Sequence, residues 1–202
     1  MTEDVEIILL GNNQLRNLPL DLARRCPHVK AIFLSNNLLD EIPPVLNEFR
    51  NLQELYLDGN QIVRFDGRLR QLDRLRVLSI RGNRLTTDGL ELSGLAFLEA
   101  LLVDDNDLSA IPRDISMCPQ LLHLSARNNR IDEVHHNLAA CEFLTELDLS
   151  GNTRLARLPV ALEHLPYLRM IDVADTDIGE VPNWANRMPA LEYFILQANP
   201  DD

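Results

Sequence analysis

Apolar residues recur along this chain at a fixed spacing. Residues 52–62, LQELYLDGNQI, carry them at Leu52, Leu55, Leu57 and Ile62, with Asn60 between the last two. Written as LxxLxLxxNxL, the unit has its first position at Val5, Val29, Leu52, Leu75, Leu98, Leu121, Leu144, Leu168 and Leu191, in steps of 23 or 24 residues. A period of this length predicts a stacked array in which each unit touches only its neighbours. The repeat runs through the whole chain, so we read residues 1–202 as one domain of nine repeats, the last of them truncated.

Positions 3 to 6 of each unit alternate apolar and variable residues, the period of a strand. Every unit returns to the same starting point, so these short strands are predicted to lie parallel in one long sheet. Positions 4 and 6 then point into the array, and positions 3 and 5 point out of it. Position 9 reads Asn13, Asn37, Asn60, Asn83, Asn106, Asn129, Asn152, Thr176 and Asn199. Where the chain turns away from the sheet its backbone groups lose their ladder partners, and an amide side chain can both donate to and accept from them. The shorter Thr176 hydroxyl is expected to loosen the eighth turn.

The return segments repeat as well. Apolar-Pro pairs stand at Leu18-Pro19, Ile42-Pro43, Ile111-Pro112, Leu158-Pro159 and Val181-Pro182. Proline fixes φ and removes a donor, so these segments are predicted to be extended or to hold one short helical turn. The unit starting at Leu75 replaces the proline with TTDGLELSGL and is expected to be irregular on that side. His135 and His136 occupy the place of the proline in the sixth unit and are read as solvated.

These spacings resemble the leucine-rich repeat family, in particular its 23-residue intracellular class found in Ras-group scaffolds and some bacterial effectors. The resemblance implies an α/β fold: a right-handed solenoid, horseshoe-shaped, with a parallel β-sheet on its concave face and irregular or short-helical segments on its convex face. It implies a protein-binding scaffold and leaves the partner open, because fold does not determine function.

Charge narrows the partners. The formal net charge is -12, from 31 acidic and 19 basic residues. Residues 102–202 hold 17 acidic and 7 basic side chains, so -10 of the total belongs to the C-terminal half. Nucleic acid and anionic membranes are bound through clustered Lys and Arg, so neither is expected. No stretch reaches the roughly 18 apolar residues of a membrane span. Acidic residues near the N-terminus are unlike a signal peptide. Cys26, Cys118 and Cys141 share a column held elsewhere by Phe49, Leu72, Leu95, Leu165 and Met188, so they are read as buried thiols rather than a zinc site or disulfide. Free thiols fit a reducing compartment, and the expected location is cytoplasmic.

The outward positions carry the candidate site. The N-terminal half of the face presents Ile7, Leu9, Phe33, Tyr56, Val77 and Leu102, an apolar and aromatic strip of the kind that anchors partners. Position 7 alternates Asp58, Arg81, Asp104 and Arg127, read as a surface ion-pair ladder from which Arg81 and Arg127 can still reach a partner. The C-terminal half presents His123, Glu146, Asp148 and Asp172, read either as screened by water or as awaiting a basic segment. An open sheet offers no pocket walls, and the sequence holds no phosphate loop or nucleophile motif, so no catalytic residue, metal or cofactor is expected. The reading is a non-catalytic module that binds a protein partner, with Phe33, Tyr56, Arg81, Leu102, His123, Arg127, Glu146, Asp148 and Asp172 as contacts. The protein is expected to be a monomer or part of a larger chain. The alternatives are a structural scaffold binding through its flanks or convex side, and the recognition domain of a larger ligase, kinase or secreted effector.

Overall fold

The computed structural model describes residues 4–66 and 69–197. Eleven short strands follow in chain order: β1 (Ile7–Leu9), β2 (Ala31–Phe33), β3 (Glu54–Tyr56), β4 (Phe65–Asp66), β5 (Val77–Ser79), β6 (Leu90–Glu91), β7 (Ala100–Leu102), β8 (His123–Ser125), β9 (Glu146–Asp148), β10 (Met170–Asp172) and β11 (Tyr193–Ile195). Nine of them form one parallel sheet in the order β1-β2-β3-β5-β7-β8-β9-β10-β11, and each repeat supplies one strand. Register is strict: position 3 pairs with position 3 of the next unit, as in Glu54↔Val77, and position 5 with position 5, as in Tyr56↔Ser79. The alternation of the sequence therefore becomes two faces. Leu55, Leu57, Leu78, Ile80, Leu147 and Leu149 are wholly buried on the inner one.

Behind the sheet most return segments carry one helical turn, the third unit's holding β4 instead among its described residues. The first is a short α-helix, α1 (Leu22–Arg25). The units with an apolar-Pro pair at 42–43, 111–112 and 158–159 begin a 3-10 turn directly after the proline: Pro44–Glu48, Arg113–Met117 and Val160–His164. The fixed proline φ suits the entry to such a turn, and the lost donor would be unpaired there in any case. The fourth unit departs from the expected irregularity. Its β6 pairs in parallel with β4 of the third unit, giving a second sheet of two strands. Both units lack the proline, so their amides remain available to a ladder.

The Asn column closes the turns across units. Asn60 Nδ2 donates to Leu57 O of its own unit (2.9 Å) and to Leu34 O of the unit before (3.0 Å), while Oδ1 accepts from Leu39 N (3.1 Å). Asn83, Asn106, Asn129 and Asn152 repeat this pattern. Thr176 reaches only its own unit, donating to Val173 O and accepting from Ile178 N. Asn199 lies outside the described residues. One signal escaped the sequence reading: position 8, just before the Asn, is Asn12, Asn36, Gly59, Gly82, Asp105, Asn128, Gly151 and Asp175, and all eight have positive φ. These are the residue types that tolerate that backbone. A Cβ on Gly151 would also fall 2.1 Å from Asn128 Oδ1.

Cys26, Cys118 and Cys141 are buried free thiols, as their column predicts. Burial pushes the Cys118 and Cys141 thiols up to about 12. Trp184 joins the same core.

Candidate functional site

In-register parallel strands bring outward side chains of equal position side by side. Phe33 on β2 is the register partner of Tyr56 on β3. Their rings stack with centroids 4.5 Å apart and planes within 8°. Both residues are half-buried. Tyr56 Oη donates to Glu54 Oε2 at 3.1 Å. Burial, then the Glu54 and Asp58 carboxylates, raise the phenol above its ordinary range, so it stays a neutral donor. Beside this pair Ile7 and Leu9 are exposed, and Leu102 is half-buried further along the face.

Position 7 does more than alternate in sign. Asp58 Oδ1 accepts from Ser79 Oγ (2.5 Å) and from the Arg81 amide (2.8 Å), which ties the third unit to the fourth. Asp104 repeats this two units on, accepting from Ser125 Oγ and from the Arg127 amide. Ser79 is 1% exposed under this contact, although it stands at an outward position. The Arg81 guanidinium meets Asp104 Oδ2 at 2.8 Å, as the alternation predicts. The Arg127 guanidinium turns instead to Asp148 of position 5, at 3.6 Å. The ladder is therefore part staple, part ion pair.

At the acidic end, His123 Nδ1 lies 3.2 Å from Glu146 Oε2 across adjacent strands. Asp148 and Asp172 are register partners. Asp148 Oδ1 accepts from the Ser150 amide and hydroxyl, and Asp172 Oδ1 accepts from the Ala174 amide at 2.9 Å. Burial, and then the Asp148 and Asp175 carboxylates, push the Asp172 carboxyl upward, against the Ala174 amide and Arg127. The predicted site residues thus fall into an aromatic pair on β2 and β3 and a carboxylate group on β9 and β10. Four strand steps separate Tyr56 from Asp148, roughly 19 Å at strand spacing. Among the described residues no group of three His, Cys, Asp or Glu converges as a metal site would. No helix among them is long and apolar enough to cross a membrane.

A second surface was not anticipated. The residue just before each unit start lies along a flank beside the strand entrances, and there Phe97, Phe143 and Tyr167 are exposed. Phe143 and Tyr167 run parallel with centroids 6.0 Å apart. With Leu122, Thr145, Arg169 and Ala190 they line a groove whose walls are almost wholly apolar. The same column placement was readable in the sequence, since each of these aromatics directly precedes a first-position leucine.

Comparison with known proteins agrees with this architecture. A family model described as leucine rich repeat matches residues 3–62, and another of the same description matches residues 140–155. No curated protein matches the sequence. Among solved structures, the fold is similar to the LRR ectodomain of the plant membrane receptor kinase GASSHO1/SCHENGEN3 from Arabidopsis thaliana in complex with CASPARIAN STRIP INTEGRITY FACTOR 2. The identity is 26%, the TM-score 0.76, and the match covers 96% of this chain and 27% of that one. It is similar also to a chain of the octameric complex of Latrophilin 3, Unc5D and FLRT2 (LRR), at 25% identity and TM-score 0.78, covering 98% of this chain and 61% of that one. Internalin C2 of Listeria monocytogenes shares the fold at 21% identity and TM-score 0.77, over 95% of this chain and 80% of its own. This chain therefore spans about a quarter of the plant ectodomain chain. With nine in-register parallel strands, a bridging asparagine column and these matches, the chain is a solenoid of leucine-rich repeats, two stretches of which match leucine rich repeat models.

Proposed function

We propose that the protein is a non-catalytic binding module that holds a protein partner against the open face of its sheet. The observation that carries this is the Phe33–Tyr56 stack, two large rings fixed against each other at half-exposed, register-paired positions of the sheet. Rigid aromatic anchors lose little entropy on binding and serve as hot spots. Leu102 extends the apolar surface. The Glu146, Asp148 and Asp172 carboxylates then select a basic partner surface, with His123, Arg81 and Arg127 setting register between the two regions. Two of the similar structures are complexes, a plant receptor kinase LRR ectodomain with CASPARIAN STRIP INTEGRITY FACTOR 2 and an octamer of Latrophilin 3, Unc5D and FLRT2 (LRR), which supports a binding role of this kind. Three buried unpaired thiols support a reducing, cytoplasmic setting.

The flank supports a second reading, in which the partner covers Phe143 and Tyr167 and the sheet face serves as scaffold. Affinity capture from native lysate separates the two. The open-face reading expects the double variants Phe33→Ala/Tyr56→Ala and Asp148→Lys/Asp172→Lys each to lose the captured partner, while Phe143→Ala/Tyr167→Ala retains it. The opposite pattern moves the site to the flank.

A further inference from the structure

His135 occupies the position that holds proline in neighbouring units. Its backbone, at φ -77 and ψ 149, matches Pro43 (φ -55, ψ 123), Pro112 (φ -55, ψ 141) and Pro159 (φ -68, ψ 135). Each of these four residues precedes a 3-10 turn. The turn after His135, His136–Ala140, differs from the others because a side chain caps it: His135 Nδ1 accepts from the Asn137 amide at 3.3 Å. Accepting requires the ring nitrogen's lone pair, so only the imidazole unprotonated at Nδ1 can make this bond. The ring also lies against His136, with centroids 3.9 Å apart. Two imidazolium rings at that distance would repel.

We infer that the sixth return segment is a pH-sensitive element of the solenoid, held closed by the neutral His135 cap and released when His135 takes a proton. His135 lies between two surface grooves. The preceding units bring Asp88, Glu91, Arg113 and Asp114 to the first. Its own segment contributes Asp132, Glu133 and His136, and the following unit contributes Arg157. Several of these groups are already engaged. Glu91 pairs with Arg70, and Asp114 accepts from the Leu92 amide. Carboxylates outnumber guanidiniums around the ring, so the imidazolium has favourable surroundings once it swings away from the Asn137 amide. Protonation of His135 therefore trades the cap for a charge–charge contact at the groove edge. Adjacent turns pack on this one, since Asn137 Nδ2 donates to Arg113 O, so release loosens the contact between the fifth and sixth units.

Amide exchange of the intact chain at about pH 7.5 and about pH 5.5 tests this, with each rate divided by the intrinsic rate at its own pH. The Asn137 and Leu138 amides are expected to lose protection by about three- to tenfold at the lower pH, the size of a lost N-cap. The Ile115 and Leu162 amides, which donate to Pro112 O and Pro159 O, should hold theirs. His135→Asn keeps an acceptor that does not titrate, and His135→Pro restores the residue of the neighbouring units; both should abolish the loss. Equal protection at the two pH values, or a loss that persists in either variant, overturns the inference.

Discussion

Phe33 and Tyr56 stand 23 residues apart in sequence and meet ring to ring, 4.5 Å between centroids. The contact exists because β2 and β3 pair in register, so a repeat step in sequence becomes one strand spacing in space. An offset-stacked aromatic pair adds about 0.5–1.5 kcal/mol beyond its area burial. A double-mutant cycle on Phe33→Ala and Tyr56→Ala, followed by chemical denaturation, should show a coupling of this size. Additive single-mutant losses would mean that the rings are positioned by their strands alone and only coincidentally stacked.

The asparagine column makes a comparison within one chain. Asn60 bonds to backbone groups of two units, whereas Thr176 bonds within one. Asn60→Ala should cost on the order of 1–3 kcal/mol, because buried backbone groups of two units are left without partners. Thr176→Ala should cost less, about 0.5–1.5 kcal/mol for a single ordinary hydrogen bond. Equal losses in urea denaturation would contradict a bridging role for the column.

Asp148 and Asp172 illustrate stability given up for a charged surface. The folded state holds the Asp172 proton more tightly than the unfolded chain does, chiefly through burial and then through Asp148. A raised carboxyl of this sort contributes stability below the unfolded value and loses it as pH rises through the folded one, so ionised Asp172 is a cost at neutral pH. Asp172→Asn keeps the acceptor for the Ala174 amide and should stabilise the protein by about 0.5 kcal/mol at pH 7. The gain should fade toward about pH 4. Denaturation of the wild type and variant at the two pH values checks this; a gain that grows on acidification would reverse the sign of the account.

Cys118 and Cys141 lie in the core with thiols pushed up to about 12. The thiolate is the reactive form, so both should resist alkylation in the folded protein and react fully in denaturant. Rapid labelling of either in native buffer, read by mass spectrometry, would place it outside the packed column.

How much of this was readable beforehand follows from period and register. Strand positions, the inward column through Leu55 and Leu78, and the side-by-side placement of Asp148 and Asp172 all follow once the unit length is fixed. Such periodicity is silent on side-chain rotamers. That Arg127 leaves its own column for Asp148, and that Ser79 is buried beneath Asp58, depends on the reach of individual side chains. Pairing of β4 with β6 turned on two adjacent units both lacking proline, a relationship between units that a one-unit consensus hides. The flank aromatics Phe143 and Tyr167 lie outside the eleven-position motif altogether.

The dissociation constant of a captured partner, measured at low and physiological salt, tests the open-face account. Asp148→Lys/Asp172→Lys should weaken binding at least about tenfold, roughly 1.4 kcal/mol, and flatten the salt dependence. Phe33→Ala/Tyr56→Ala should weaken it by a similar factor with the salt dependence intact. Wild-type affinity and salt response in both variants would contradict binding on this face.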